Sequence, residues 1–171
     1  WFDPQTWQGG EVPVSDANVL IEQGVEVTYD QESDARIKTI RVDGKLGFAQ
    51  NEDTKLIVDF IAASSTGTLE IGTQANPVQA DSQTQIIFAP VDPGNAAIDL
   101  NWDPKQLSRG LVTEHGATVD IWGAEKTPYL TLAGDHQAGA KELVFSKSVP
   151  SNWQVGDKIV VTGTQWDNTG S

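Results

Sequence analysis

GTLEIGT, residues 67–73, sets Leu69 and Ile71 on one side of a short run and Thr68 and Glu70 on the other, with Gly67 and Gly72 at its ends. Apolar and polar residues alternating with period two, over a run too short for a helix, describe a strand with one face inward and the other wet. Nearly the same phrase recurs as GVEVTY from Gly24, GKLGF from Gly44 and GATVDIWG from Gly116, so that the starts lie 20, 23 and 49 residues apart. The last gap is near twice the others, which suggests a repeat with one degenerate copy. In the other phrases the inward sets are Val25, Val27 and Tyr29; Leu46 and Phe48; and Ala117, Val119 and Ile121. A unit of ~20–25 residues with two or more strands is the size at which solenoid coils repeat. The fold expected is all-β, a right-handed parallel β-helix-like solenoid of short coils. A coil must turn sharply between its faces, and glycine is cheapest where the backbone needs positive φ or passes close to the coil above.

The remaining apolar runs are short and rich in Val, Ile and Leu: they start at Val19, Ile37, Leu56, Gln85, Tyr129, Glu142 and Asp157. Most end within a few residues in Gly, Pro, Asn or Asp, which is strand punctuation. One stretch reads as a brief helical turn, DPKQLSRG from Asp103 to Gly110, with Asp103 as cap, Pro104 in the first turn and Gly110 as terminator. No charge run or linker divides the chain, so residues 1–171 read as a single domain, excised from a longer protein.

Composition narrows the function. Eleven basic against 24 acidic residues give a net charge of −13, a field that repels nucleic-acid phosphates and anionic membranes. With no cysteine there is no disulfide framework, thiolate zinc site or thiol nucleophile. The chain also lacks methionine and starts at Trp1, as a processed or trimmed segment would, and it has no apolar run of about 18 residues to span a bilayer. This acidic, Thr/Gln/Asn-rich, cysteine-free composition suits a secreted bacterial protein or one of the bacterial surface, although a cytosolic protein could share it.

The phrases WFDPQTWQGGEVPVSDANVLIEQGVEVTYD, IKTIRVDGKLGFA, GTLEIGT, GLVTEHGATVDIWG and NWQVGDKIVVTGTQWD together resemble the G8 domain, a module named for its recurrent glycines. The likeness runs almost from end to end of the chain. It marks Gly24, Gly44, Gly67, Gly72, Gly110, Gly116, Gly123 and Gly156 as family-type structural glycines. Trp122 departs from the family pattern, in which His often follows the last alternation. The resemblance implies an extracellular module of large secreted or surface proteins, often beside β-helix repeats, some of whose animal relatives bind or break down hyaluronan. It supplies no catalytic residues.

The residues themselves offer few chemical constellations. His115 and His136 are the only histidines; an acid, base or metal role is weighed against hydrogen bonding at a strand edge. The stretch from Asp99 to Asp103 fails as an EF-hand, since its sixth position is Pro104 and its twelfth is Gly110. A looser calcium site drawing on Asp92, Asp99, Asp103 or Asp167 stands against the alternative of solvated loop aspartates. Trp7 and Trp153 are expected to shield the open ends of the coil stack, while Trp1, Trp102 and Trp166 lie in polar sequence and are the candidates to stack on a sugar ring. The expected role is a non-catalytic extracellular module that holds polysaccharide or caps a β-helix, with downstream domains of the same chain as neighbours. The alternatives are the first part of a polysaccharide-degrading enzyme, such as a hyaluronan lyase or hydrolase, and a purely architectural adhesin cap.

Overall fold

The computed structural model describes residues 1–89 and 110–163. The chain divides into two compact units, Trp1–Ala124 and Glu125–Ser171.

In the first unit a 3-10 turn at Pro4–Thr6 precedes β1 (Asn18–Ile21), β2 (Glu26–Tyr29), β3 (Glu32–Val42), β4 (Lys45–Phe48), β5 (Thr54–Ala63), β6 (Thr68–Ile71), β7 (Thr84–Phe88), β8 (Gly110–Thr113) and β9 (Thr118–Ile121). From β1 to β7 successive strands alternate between two sheets. One runs β1-β3-β5-β7 with β8 also on β5, the other β2-β4-β6-β9, and each neighbouring pair is parallel. The fold is therefore all-β with two parallel sheets. Each glycine phrase supplies a strand of the second sheet, and the longer runs before them supply β3 and β5 of the first.

The doubled spacing before Gly116 is not a degenerate copy. β6 pairs directly with β9, Thr68 opposite Thr118 and Ile71 opposite Ile121, with no strand between them. The extra length instead splits one row of the first sheet: β7 pairs with Thr54–Val58 of β5, and β8 with Phe60–Ala63. The sequence shows a spacing; only the pairing shows which sheet absorbs the insertion.

Alternate residues of each strand face a common core that includes Val19, Ile21, Val27, Tyr29, Ile40, Val42, Leu46, Phe48, Leu56, Val58, Ile61 and Leu69. Their outward neighbours carry ion pairs between strands: Arg36 to Asp59 at 2.6 Å, Lys45 to Glu70 at 2.9 Å and Lys55 to Asp34 at 2.6 Å. Exposed pairs of this kind contribute little each, so the inward ladders carry the stability. Val25, grouped with Val27 and Tyr29 by its spacing, lies ahead of β2 and is exposed.

At Gly44 and Gly67 the backbone of one turn nests against the turn before it. A Cβ on Gly44 would run into the carbonyl oxygens of Glu22 and Val25, and one on Gly67 into the carbonyl of Val42. Gly24, Gly72, Gly110, Gly116 and Gly156 have positive φ. Gly123 meets neither condition: its φ is not positive and a Cβ there would meet nothing within 4 Å.

The second unit has no strand among its described residues, although the runs from Tyr129, Glu142 and Asp157 read as strands. Leu132 and Phe145 form a lone antiparallel bridge, flanked by Ala133 N–H to Val144 O and Ser146 N–H to Thr131 O, both 2.8 Å. Trp153 donates from Nε1 to Thr127 O at 2.7 Å and meets Phe145 edge to face, ring centres 5.8 Å apart. None of the unit's described residues is buried. A strand needs a partner for its backbone groups, and Lys158–Gly163 has no backbone hydrogen bond among the described residues.

Candidate functional surfaces

The first unit ends differently at its two edges. On the outermost strands β1 and β2 the inward residues Val19, Val27 and Tyr29 are buried. Cover comes from the segment before β1, where Asp3 caps the 3-10 turn by accepting from Gln5 N–H at 2.9 Å. That turn brings Trp7 onto Trp1 (centroids 4.9 Å, edge-on), and Trp1 and Phe2 onto Tyr29 at 5.2 and 5.1 Å. Trp7 Nε1 donates to Trp1 O at 2.7 Å, and the Trp1 nitrogen donates to Thr28 O at 2.6 Å. The Tyr29 ring continues onto Phe48 at 5.4 Å, and its hydroxyl donates to Lys55 O at 3.0 Å. Burial pushes the Tyr29 phenol up to about 12, since its ionised form would be stripped of water.

At the opposite edge no described residue of the first unit plays that part. In the ladder Val27, Leu46, Leu69, Val119 the exposure runs 3, 0, 1 and then 38%. In the other sheet Val19, Ile40 and Ile61 are buried, whereas Leu111, next in register, is 37% exposed. Ile121 at 62% and Phe88, in register with Ile71 and Val58, are exposed in the same way, and Trp122, next in sequence, is exposed too. Trp122 is fixed by its backbone, donating to Ile71 O at 2.8 Å and accepting from Val78 N–H at 2.9 Å. The result is a row of apolar side chains in ladder register, with the outer backbone edge of β9 beside them.

Within the second unit, residues 126–132, 134–136 and 157–163, with Leu143, Phe145 and Trp153, line a cleft of about 1070 Å³. Lys126 and Asp157 pair across 2.9 Å; Gln154 N–H and Lys126 together hold the Asp157 carboxyl below its usual range.

The candidates from the sequence fall in scattered places. Trp1 is in the core, 5% exposed, with Trp7 and Tyr29 against its ring, so its faces are taken by protein. Trp7 packs at the covered edge, while Trp153 serves the second unit. Trp102 and Trp166, the aspartates Asp92, Asp99, Asp103 and Asp167, and the helical turn read from Asp103 lie outside the described residues; Gly110 itself opens β8. Among the described residues no three His, Asp or Glu gather as metal ligands. His115 is exposed on the turn closed by Ala117 N–H to Glu114 O at 3.0 Å. His136 has both ring nitrogens engaged, Nδ1 with Gly134 O and Nε2 with Val144 N–H, each at 2.9 Å. Sequence reasoning missed the uncovered edge. Val119 and Ile121 have the alternation of the buried phrases, and what distinguishes them is that no further strand among the described residues pairs beyond β9.

Two parallel sheets fed alternately by one chain, closed at one edge and apolar at the other, define a ladder-built β module. The chain belongs to the G8 domain family, whose pattern matches residues 6–133. It is 25% identical over 167 residues to human Fibrocystin-L, covering 96% of this chain and 4% of that protein. To a G8 domain-containing protein of Dictyostelium discoideum it is 23% identical, covering 95% of this chain and 11% of the relative. The chain thus spans a small fraction of the curated relatives it matches. No solved structure gives a significant match. Among the described residues no helix is long and apolar enough to cross a membrane.

Proposed function

We propose that this chain is a non-catalytic extracellular module that starts a β-solenoid in a larger protein, its two sheets being faces of one right-handed parallel β-helix. The observation that carries the reading is the loss of cover at one edge: inward residues buried on β1 to β6 are followed in register by Leu111 and Val119, both more than a third exposed. Exposed apolar residues in ladder register, beside an unpaired strand edge, are what a further coil would cover. The aromatic lid of Trp1, Phe2 and Trp7 shields the other end, as a terminal coil requires. The relatives, many times the length of this chain, favour a part that works inside a larger protein.

Polysaccharide holding, with or without calcium, is the second role the sequence raises; of its three tryptophan candidates only Trp1 lies within the described residues, and its ring is buried. Two experiments separate the readings. When the chain is produced joined to the residues that follow it in the parent protein, the amides of β8 and β9 should become protected from hydrogen exchange; unchanged exchange there contradicts the solenoid reading. An array of extracellular polysaccharides, run with and without calcium, should show no binding by the 171 residues, and specific binding would overturn the purely architectural role.

A further inference from the structure

We propose that His136 is an acid-released clasp on the loop Gly134–Val144, which forms part of the cleft wall in the second unit. The loop joins two segments held by few bonds: the Leu132–Phe145 bridge, Ala133 N–H to Val144 O, Ser146 N–H to Thr131 O, and the Ser146 hydroxyl to Thr131 O at 3.0 Å. His136 ties it at both ends. Its Nε2 lies 2.9 Å from the Val144 nitrogen, whose N–H donates, so Nε2 is the bare nitrogen of the ring. The proton therefore sits on Nδ1, which donates to Gly134 O at 2.9 Å.

This arrangement admits only the neutral ring. A proton added at Nε2 turns both nitrogens into donors, and two N–H groups then face each other where Val144 had its acceptor. The Nδ1 bond survives protonation; the Val144 bond does not. Histidine is the ordinary side chain whose charge changes on mild acidification. The charged groups on its own loop are Asp135, Lys141 and Glu142, and Lys126, Asp157 and Lys158 line the same cleft. Lys126 and Asp157 largely neutralise one another, being paired. Because none of the unit's described residues is buried, burial does not hold the loop once the bond is lost, and Leu143, which lines the cleft beside Val144, is released with it.

The test uses the whole chain. Hydrogen exchange of peptides spanning residues 134–146 is measured near neutral and at mildly acidic pH, with times scaled for the intrinsic rate. Protection in the wild type should fall about fivefold on acidification, the factor one net hydrogen bond is worth. In His136→Ala the loop should exchange at the acid rate under both conditions. Imidazole ¹⁵N resonances of the wild type, which need no variant to fold, should report the Nδ1–H tautomer at neutral pH. The Nε2–H tautomer, equal protection at both pH values, or an unchanged pH response in His136→Ala would each overturn the proposal.

Discussion

Gly67→Ala is expected to destabilise the first unit far more than its chemistry suggests, because the added methyl has nowhere to go. Its Cβ would overlap the Val42 carbonyl oxygen and press on Ser64 N, both backbone atoms that no rotamer change can move aside. Relief requires the turn to lift, which strains three bonds: Gly67 N–H to Ser64 O at 2.8 Å, Thr68 N–H to Gly44 O at 2.8 Å and Thr118 N–H to Gly67 O at 3.0 Å. At about 1 kcal/mol net each they amount to ~3 kcal/mol. Alanine returns ~0.4–1 kcal/mol by stiffening the unfolded chain. The net loss is about 2 kcal/mol, equivalent to a fall in Tm of roughly 4–8 °C for a chain of this size. Gly123→Ala is the control, since its Cβ meets nothing within 4 Å and φ is not positive; it should stay within ~0.5 kcal/mol of wild type. Urea unfolding followed by far-ultraviolet circular dichroism measures both. Equal stabilities for the two variants would refute the nested-turn reasoning.

Tyr29→Phe keeps the aromatic packing but removes the hydroxyl bond to the Lys55 carbonyl, so thermal unfolding should show a loss of about 1 kcal/mol. The Tyr29 phenol is raised to about 12 in the folded state, so its contribution is fully present below the ordinary phenol value of ~10 and is lost as pH rises from there towards 12. Alkaline unfolding curves should show that loss in the wild type and lack it in Tyr29→Phe. The Asp157 carboxyl, lowered by Gln154 N–H and Lys126, stabilises its turn above the usual carboxylate range, and that contribution disappears as pH falls through its depressed value. Protection of the Gln154 amide, scaled for the intrinsic rate, should fall in acid, and Asp157→Ala should show the lower protection at neutral pH too. Ile121→Lys, at a site 62% exposed, should change urea stability by less than ~0.5 kcal/mol in the 171-residue chain, yet abolish the protection that a following coil confers on β9.

The second sheet was legible in the sequence because its strands start within two residues of a glycine and alternate with period two. Leu46, Phe48 and Leu69 are buried where that period puts them. The pairing was not legible: a gap of 49 residues looks like a lost repeat until β6 is seen beside β9, since spacing counts residues and does not say which sheet receives them. Tryptophans were the least readable. Trp1 stands in polar sequence but is buried by Trp7 from six residues away, a contact that depends on the 3-10 turn between them. Ile159, Val160 and Val161 have strand composition without strand structure, because composition supplies propensity and not the neighbour that completes it. The uncovered edge shares this limit from the other side, since Val119 obeys the same rule as Leu69 and differs only in what lies beyond it.

Parallel pairing of β6 with β9 is most directly tested by disulfide formation in a chain that has no cysteine of its own. Thr68→Cys with Thr118→Cys, and separately Ile71→Cys with Ile121→Cys, place sulfurs on residues that are partners in register. Neighbouring strands lie ~4.8 Å apart, within the ~4.4–6.8 Å between Cα atoms that a disulfide spans. Both pairs should bridge on mild oxidation. The crossed pairs, Thr68→Cys with Ile121→Cys and Ile71→Cys with Thr118→Cys, are offset by ~10 Å along the strands and should stay reduced. Bridging of the crossed pairs instead would mean antiparallel strands and would contradict the ladder on which the module is built.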